Sequence, residues 1–332
     1  MNAQKKTLAE VGELEFIHHL RSLMPGDGGI FLRSVGDDCL VTESFKQDQV
    51  LATTDTFVDG VHFTSDYCSL EQAGRRCMAG AVSDIAAMSG IPVCSMVSLS
   101  MPEDTLFGDA VALFTGLQKK AQQYGCPVVG GETTSTSGPV TVTVTVIGRV
   151  EPLRAVTRSG AKAGDSVYIT GTIGDAMAGL MAFERNEKGF RTVKSKFVAP
   201  EALIRLSRSL TSAYHITSMI DVSDGLAADL WHICDESGCG AEINALSLPF
   251  SNEYKKFSKK YFLDAVDFAV SSGEEFELLF TSDDCTIPEQ FILEDRTISK
   301  IGTIIDASGG VKLFRDNSHA ESLGRKGYEH FT

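Results

Sequence analysis

The most constraining feature of this sequence is the segment Val140–Val146, in which valine and threonine alternate strictly. Successive side chains of a β-strand point to opposite faces of its sheet, so the segment predicts a strand with one apolar and one polar face. Such a strand packs one face on a core and leaves the other half exposed, which favours mixed or antiparallel sheets over the fully covered sheet of a doubly wound fold. We therefore expect an α+β protein with mixed sheets flanked by helices.

The chain has 332 residues, more than one compact core usually holds, which predicts two domains. Residues 151–157 contain a proline and no periodicity, so the boundary is predicted there, with an N-terminal domain over 1–153 and a C-terminal domain over 154–332. Strands and helices alternate on both sides of this boundary. A helix is predicted over about 70–89, because Ser69 and Gln72 match a capping box and apolar residues then recur at helical spacing.

Composition excludes several classes of protein. With 44 acidic and 30 basic side chains the formal charge is −14, which argues against a partner such as nucleic acid or an anionic membrane. The longest uncharged stretch, Ile85–Pro102, is interrupted by glycine, proline and serine and is a poor membrane span, and no signal-peptide pattern precedes Glu10. The eight cysteines contain no C-x-x-C pair, and the spacing of His232, Cys234 and Cys239 is poor for zinc. We expect free thiols and a cytoplasmic location.

Acidic residues beside glycines, at strand ends and inside a helix of small residues are the strongest chemical signal. Asp55 and Glu132 are expected directly after predicted strands, where sites tend to form. Each acid alone has a structural explanation, because aspartate beside glycine is ordinary turn or capping chemistry. Converging carboxylates would oppose one another and require cations, and their oxygens suit Mg²⁺ with nucleotide phosphates. The acids concerned are Asp37, Asp38, Asp55, Asp84, Glu132, Asp221 and Asp224.

Common catalytic templates are missing from the sequence. It has no G-x-x-x-x-G-K-[ST] phosphate loop, no H-R-D loop, no G-x-S-x-G elbow, no H-E-x-x-H pair and no G-x-G-x-x-G after a strand. The best cationic candidates are Arg158 and Lys162, for which a solvated surface loop is the alternative. Any phosphate site in this chain therefore depends on other glycine-rich turns and on the acidic residues.

Eight segments, in order along nearly the whole chain, resemble the thiamine-monophosphate kinase family. This family shares a superfamily with aminoimidazole ribonucleotide synthetase, selenophosphate synthetase and a hydrogenase maturation factor. The second and the last segment are the most specific to the kinases. The segments are Gly36–Asp38, Thr53–Phe63, Val82–Met88, Gly130–Thr134, Thr157–Asp165, Ile220–Leu226, Ser272–Leu278 and Lys326–Phe331.

The resemblance implies a two-domain, aminoimidazole ribonucleotide synthetase-like architecture whose N-terminal domains pair in a homodimer. It also implies direct, Mg²⁺-assisted transfer of the γ-phosphoryl group of ATP onto the phosphate of thiamine monophosphate. Two anions must then approach each other, so metal ions and a cation such as Arg158 are needed to neutralise and align them. The acceptor oxygen is already ionised near neutral pH, so no general base is required.

The resemblance further implies a role for individual positions. Asp55, Asp84 and Arg158 would be catalytic. Metal ligands would be Asp38, Thr53, Thr54, Asp55, Asp84, Glu132, Asp221 and Asp224. ATP would contact Gly131, Glu132, Arg158 and Ser223, and thiamine monophosphate would contact His62, Glu274 and Tyr328, with Glu274 balancing the thiazolium cation.

Two positions depart from the family pattern. Glu132 stands where the family usually has aspartate, and its extra methylene shifts the ligating oxygens. Arg325 stands where the family often has a tryptophan that stacks on the substrate, which leaves Tyr328 as the aromatic candidate.

Two alternatives remain open at this point. The first is a superfamily enzyme acting on an amide or on selenide, although Cys39 follows the acidic pair directly and the chain ends in His-Phe-Thr without a cysteine. The second is an inactive nucleotide-binding protein, which predicts lost metal ligands, whereas only Glu132 departs from the pattern.

Overall fold

The computed structural model describes residues 31–33, 40–45, 47–316 and 320–330, which form two mixed β-sheets with packed helices. The α-helices in this part of the chain are α1 Leu70–Ala87, α2 Phe107–Gln123, α3 Asp175–Glu184, α4 Arg191–Val198, α5 Ile204–Ala213, α6 Leu226–Ser237, α7 Asn252–Lys260 and α8 Ala265–Val270. The strands are β1 Phe31–Arg33, β2 Leu40–Phe45, β3 Asp48–Val58, β4 Ile91–Met101, β5 Val128–Ser135, β6 Thr141–Val150, β7 Ser166–Thr170, β8 Ser218–Asp221, β9 Cys239–Asn244, β10 Leu278–Ser282, β11 Gln290–Leu293, β12 Arg296–Asp306, β13 Val311–Phe314 and β14 Ala320–Ser322.

The first sheet has the order β1-β2-β3-β6-β4-β5, and all its pairs are antiparallel except β4 with β5. The predicted valine–threonine strand is confirmed as β6. Its valines are fully buried against the helices, whereas its threonines lie on the opposite face. There, the hydroxyls of Thr143 and Thr145 hydrogen-bond to those of Thr56 and Thr54 on β3, at 2.9 and 3.0 Å. The alternation in the sequence therefore distinguishes a core face from a threonine face.

Helix α1 begins where the capping box predicts. The Ser69 hydroxyl accepts from the backbone N–H of Gln72, and the Gln72 side chain accepts from the backbone N–H of Ser69. Helices α1 and α2 pack together on the core side of the first sheet. They approach closely because a Cβ added to Gly116 would lie 2.0 Å from the carbonyl oxygen of Glu71.

The second sheet has the order β14-β13-β9-β12-β7-β10-β8, with β11 paired to β12, and only β13 with β9 is parallel. One of its faces packs on a core that includes residues of α3, α6, α7 and α8. The other face packs on α5 and on Ala87, the last residue of α1. Helices α1 and α5 therefore lie between the two sheets.

Two sequence expectations about acidic residues are wrong in detail. Glu132 does not follow a strand that ends near Val129, because β5 continues through Gly130 and Gly131 to Ser135. The glycine pair suggests a turn, but β4 supplies a continuous partner along this edge, and at Gly131 a Cβ would lie 1.8 Å from the Val97 carbonyl oxygen. Similarly, Asp55 lies within the long strand β3 and not after its end.

The two sheets divide the chain near the predicted boundary. The last strand of the first sheet ends at Val150 and the first strand of the second begins at Ser166, and we propose that the domains divide at residue 153. The halves nevertheless share buried contacts, since Phe197 of α4 packs in the core of the first sheet and the Ser207 hydroxyl donates to the Ala86 carbonyl. Within the described residues, no helix combines the length and the apolar character that crossing a membrane requires.

The α1–α2 contact generates a stability prediction. Gly116→Ala should lower the free energy of unfolding by about 1–3 kcal/mol, because the new methyl group would overlap the α1 backbone. Gly108→Ala on the same helix is the matched control, because its Cβ would meet nothing within 4 Å, and we expect a change within about 0.5 kcal/mol. Urea denaturation of both variants measures the difference. Equal changes in the free energy of unfolding for the two variants would show that the close contact at Gly116 does not constrain the packing of α2 on α1.

Candidate active site between the two sheets

A cavity of about 390 Å³ lies between the two halves of the chain. Its walls come from β3 and the loop that follows it, from α3, from the turn between β8 and α6, from residues 273–276 and from the C-terminal segment. The predicted site residues on these walls are Thr54, Asp55, His62, Ser223, Asp224, Glu274 and Tyr328. Residues quoted from four of the segments that carry the family resemblance therefore meet in one place.

Asp84 and Asp55 converge through β3. Asp84 lies half-buried on α1, and the Thr53 hydroxyl donates to its Oδ2 atom at 2.5 Å. Asp55 is two residues from Thr53 on the same strand, so the two side chains point to the same face. Thr54 points the other way and its hydroxyl is hydrogen-bonded to Thr145 on the threonine face. The structure thus joins Thr53 to Asp84, places Asp55 on the same face of β3 and directs the Thr54 hydroxyl to the opposite face.

A second group of carboxylates lies where β8 leads into α6. Asp221 is the buried last residue of β8, and the potential ligand atoms of Asp224, Asp229 and His232 lie within 4.8 Å of one another. Asp229 is fully buried and accepts from the Gly225 backbone N–H at 3.0 Å. Burial, together with the charges of Asp224 and Asp221, raises the pKa of Asp229 well above its ordinary value.

Asp229 was not predicted from the sequence, and His232 was considered there only beside Cys234 and Cys239. Their spacing of three residues on α6 places them on one face of the helix, directly after the Asp221–Asp224 turn, which is the signal that reveals them. Arg158 lies near this group, since its charge acts on Asp229 and, with the Gly225 hydrogen bond, lowers the pKa of Asp229 against burial and the two neighbouring aspartates. The cysteines near His232 are not part of the cluster.

Three predicted positions lie away from the cavity or outside the described residues. Gly131 and Glu132 are on the edge strand β5, which β6 and β4 separate from β3, a spacing of roughly 14 Å across the sheet. Glu132 is exposed there, and its Oε1 atom accepts from the Thr133 backbone N–H. Asp38, like Asp37, lies outside the described residues.

Aromatic rings line one wall of the cavity. The His62 ring lies 5.7 Å from Phe57 and 5.3 Å from His330 between centroids, and Tyr328 lies 4.9 Å from His330. The Val58 backbone N–H donates to His62 Nδ1, so the neutral ring carries its proton on Nε2. Burial is the main cause that lowers the pKa of His62, which keeps this ring neutral at pH 7. His330 was not assigned a role from the sequence, although the Lys326–Phe331 segment contains it.

Arg325 does not approach the cavity as a substitute for an aromatic ring. Its guanidinium makes a bidentate ion pair with Asp235 and lies 4.6 Å above the Trp231 ring. The residue at the position where the resemblance implies a stacking tryptophan therefore packs on α6 instead.

Residues 274–277 alternate between the cavity and the interior. Glu274 and Phe276 line the cavity, whereas Glu275 and Glu277 are fully buried. Glu275 Oε1 accepts from the Ala176 backbone N–H in the first turn of α3, and burial raises the pKa of Glu275 to about 8.

Glu277 behaves in the opposite way although it is equally buried. Lys196 and Arg296 pair with its Oε1 atom, and the Thr170 hydroxyl donates to Oε2 at 2.7 Å. Burial alone would raise the pKa of Glu277, but the two cations outweigh burial and the pKa lies below its ordinary value. At pH 7 these pKa directions favour a neutral Glu275 and an ionised Glu277.

Comparison with known families defines the class first. The family AIR synthase related protein, N-terminal domain, matches residues 36–150, and AIR synthase related protein, C-terminal domain, matches residues 162–312. The fold is therefore that of an AIR synthase related protein. The solved structure of E. coli HypE, a hydrogenase maturation protein, shares this fold with a TM-score of 0.68 at 19% identity, covering 84% of this chain and 87% of that one.

More similar relatives define the family within this class. The chain is 31% identical over 328 residues to thiamine-monophosphate kinase of Aquifex aeolicus, covering 98% of this chain and 99% of the relative. It is 33% identical to the kinase of Escherichia coli K12, covering 90% and 91%. The structure of AaThiL complexed with AMPPCP and TMP matches with a TM-score of 0.85 at 28% identity, covering 98% and 99% of the two chains. The chain belongs to the thiamine-monophosphate kinase family.

The two buried glutamates generate a prediction about pH. Glu275 has a folded pKa of about 8 against an ordinary value of 4.5, so the folded state holds an extra proton between these values. Its contribution to stability is therefore complete below pH 4.5 and is lost as the pH rises towards 8. We expect the thermal midpoint of Glu275→Gln to fall less between pH 6 and 9 than that of the unmodified protein.

Glu277→Gln is the matched comparison. Its folded pKa is lowered, so its contribution is present above the ordinary pKa and is lost as the pH falls. This variant should be destabilised at pH 7, because Lys196 and Arg296 lose their anionic partner. If the thermal midpoints of the two variants changed with pH in the same way, the assignment of different charge states to the two glutamates would be contradicted.

Proposed function

We propose that this protein transfers the γ-phosphoryl group of ATP to thiamine monophosphate, producing thiamine diphosphate and ADP. The observation that carries the proposal is the end-to-end match, in sequence and fold, to AaThiL complexed with AMPPCP and TMP. A nucleotide analogue and a thiamine monophosphate bound together correspond to the donor and the acceptor of such a transfer. The enzyme is therefore a phosphotransferase with a phosphate group as its acceptor.

The donor set between the sheets fits magnesium. Asp55 and Asp84 with the Thr53 hydroxyl, and Asp221 with Asp224, supply hard oxygen atoms of the kind that Mg²⁺ prefers. The raised pKa of Asp229 supports the fit, because neighbouring carboxylates already repel one another there. Bound Mg²⁺ would neutralise phosphate charge and align the two substrates.

The sequence pattern assigns further ligands that we retain as proposals. Asp38, Thr54 and Glu132 would complete the metal set, with Gly131 and Glu132 also near the nucleotide. Because Glu132 lies on the edge strand, this part requires the nucleotide to extend from the cavity towards β5.

Separate sets of residues are assigned to binding the triphosphate and to binding the acceptor. We assign Arg158 and Ser223 to the triphosphate, because Arg158 is a cation at the β8–α6 carboxylates and Ser223 lines the cavity. On the acceptor side, His62 and Tyr328 offer ring faces to the pyrimidine and thiazolium rings, and Glu274 offers negative charge to the thiazolium cation. A neutral His62 with its proton on Nε2 donates a hydrogen bond without adding positive charge.

We also propose a homodimer formed through the threonine face. No helix in the described part of the chain covers this face, and Met96, which pairs with Thr145 across the strands, is 43% exposed on it. The adjoining edge strand β5 exposes Val129. The exposed side chains of this face are mainly threonine hydroxyls and apolar groups, with Glu132 on the edge strand and Arg149 near the end of β6, and such a face suits burial by a second copy. The free thiols of the seven described cysteines are consistent with a cytoplasmic location.

The function is tested by incubating the purified protein with ATP, Mg²⁺ and thiamine monophosphate and separating the products chromatographically. We expect equal amounts of thiamine diphosphate and ADP. Formation of ADP without thiamine diphosphate would contradict the assignment of thiamine monophosphate as the acceptor. Nucleotide binding without any turnover would favour an inactive nucleotide-binding protein.

The same assay applied to the Asp84→Asn variant tests the role of this site residue. Asparagine still accepts the Thr53 hydroxyl but carries no charge, so we expect transfer to fall by about 100-fold or more while the thermal midpoint changes little. Asp104→Asn, in an exposed loop of the same half, is the matched control and should retain full activity. Unfolding of Asp84→Asn would assign this residue a structural role instead.

The dimer is tested by the mass in solution. The unmodified protein should sediment at twice the subunit mass of 35.7 kDa, and Met96→Asp should sediment as a monomer because it places a charge on the buried face. Phe262→Asp removes an even more exposed apolar side chain in the other half and should remain dimeric. A dimeric Met96→Asp variant would show that another surface forms the interface.

A further inference from the structure

Arg76 on α1 is the largest side chain that the described part of the chain buries completely, and it is 2% exposed. A guanidinium removed from water is costly unless its N–H groups and its charge all find partners. Arg76 does not line the cavity, and neither the sequence pattern nor the predicted roles use it. Its partners therefore indicate why a cation is held at this position.

The partners of Arg76 come from three separate segments. Its Nε atom donates to the His62 carbonyl at 3.0 Å, and Nη1 donates to the Phe197 carbonyl. The Nη2 atom pairs with Glu274 Oε2 at 2.5 Å, and the guanidinium lies 4.1 Å from the centroid of the Phe197 ring. One side chain thus joins the loop after β3, helix α4 and the 273–277 segment.

Two of these partners are opposite walls of the cavity. His62 belongs to the first half of the chain and Glu274 to the second, so Arg76 fixes the separation between them. Glu274 and Phe276 have φ values of +62° and +50°, a left-handed conformation that persists only where the surroundings hold it. The Glu274 N–H also donates to the Ser223 carbonyl at 2.7 Å, so a shift of Glu274 reaches the turn that carries Ser223.

We propose that Arg76 is a positioning residue that sets the geometry and the charge of the acceptor pocket. It anchors the His62 loop and holds Glu274 in its strained conformation, and its charge offsets that of Glu274, so that the carboxylate balances a substrate cation without adding net negative charge near the substrate phosphate. This inference rests on the proposed function, since it assigns the acceptor to this cavity. A residue acting in this way should affect binding of the acceptor more than binding of ATP.

Steady-state kinetics with both substrates varied test the proposal. We expect Arg76→Met to raise KM for thiamine monophosphate between about tenfold and about 100-fold and to leave KM for ATP within about twofold. Arg76→Lys should recover part of the loss, because an ammonium restores the charge beside Glu274 but cannot reach all three partners. Arg75→Met, at the neighbouring half-exposed residue that pairs with Glu71, is the matched control and should change neither KM.

A double-mutant comparison with Glu274→Gln separates positioning from general stability. If Arg76 acts through Glu274, the Glu274→Gln change should raise KM for thiamine monophosphate less in the Arg76→Lys background than in the unmodified protein. Independent effects, equal rises in both KM values, or a loss of thermal stability with unchanged kinetics would overturn the proposal.

The failure of the proposed function is distinguishable from failure of this inference. If the unmodified protein does not phosphorylate thiamine monophosphate, the function fails at that step. Crystal structures of the unmodified and Arg76→Lys proteins then test positioning alone, with a displaced 273–277 segment expected and an unchanged one contradicting it.

Discussion

Burial of α1 on all sides from Arg76 to Ala87, where only Asp84 is partly exposed, is the constraint on which the rest of the structure depends. One side of this helix packs on β3, β4 and β6 of the first sheet, and the other meets α4, α5 and β8 of the second half. A helix segment without a solvent-facing side has to satisfy its polar groups internally. Its two charged residues nearest the cavity, Arg76 and Asp84, therefore reach out to partners on both sides. The same burial that stabilises the helix places these charges where the two halves meet.

The small residues of α1 also shape the cavity. A Cβ added to Gly80 would lie 2.9 Å from the Phe57 ring and 3.5 Å from the Phe276 ring, and both rings line the cavity. The absent side chain thus allows one ring from each half to pack against the same turn of the helix. The hydrophobic packing of α1 therefore also shapes the acceptor pocket, because the two rings that line the pocket pack against the helix that carries Asp84.

Features that depend on residues close together in the chain could be predicted from the sequence, whereas contacts between residues far apart in the chain could not. The alternation in β6 and the Ser69 capping box are local signals, and both are confirmed. The family pattern predicted seven of the fifteen residues that line the cavity, because each short segment carries its own signature. Arg76 had no such signature, since its partners Phe197 and Glu274 lie more than a hundred residues away in the chain. The extent of β5 was missed for a related reason, because pairing with β4 outweighs the weak strand propensity of two glycines.

The charges around the cavity show why the acids in this chain are not equivalent. Glu274 and Glu277 have protein cations as direct partners, whereas at Glu275 burial outweighs the charge of Lys196 and favours the protonated form. On the acceptor side, negative charge is therefore largely offset within the protein. At the β8–α6 turn the balance differs, since Asp221 and Asp224 raise the pKa of Asp229 even though Arg158 opposes them. A divalent cation at that turn would relieve this repulsion, whereas Glu274 is a single carboxylate that already shares an arginine and so suits a monovalent organic cation better than a divalent metal ion. The division between a metal side and an organic-cation side thus follows from where the protein supplies its own arginines and lysines.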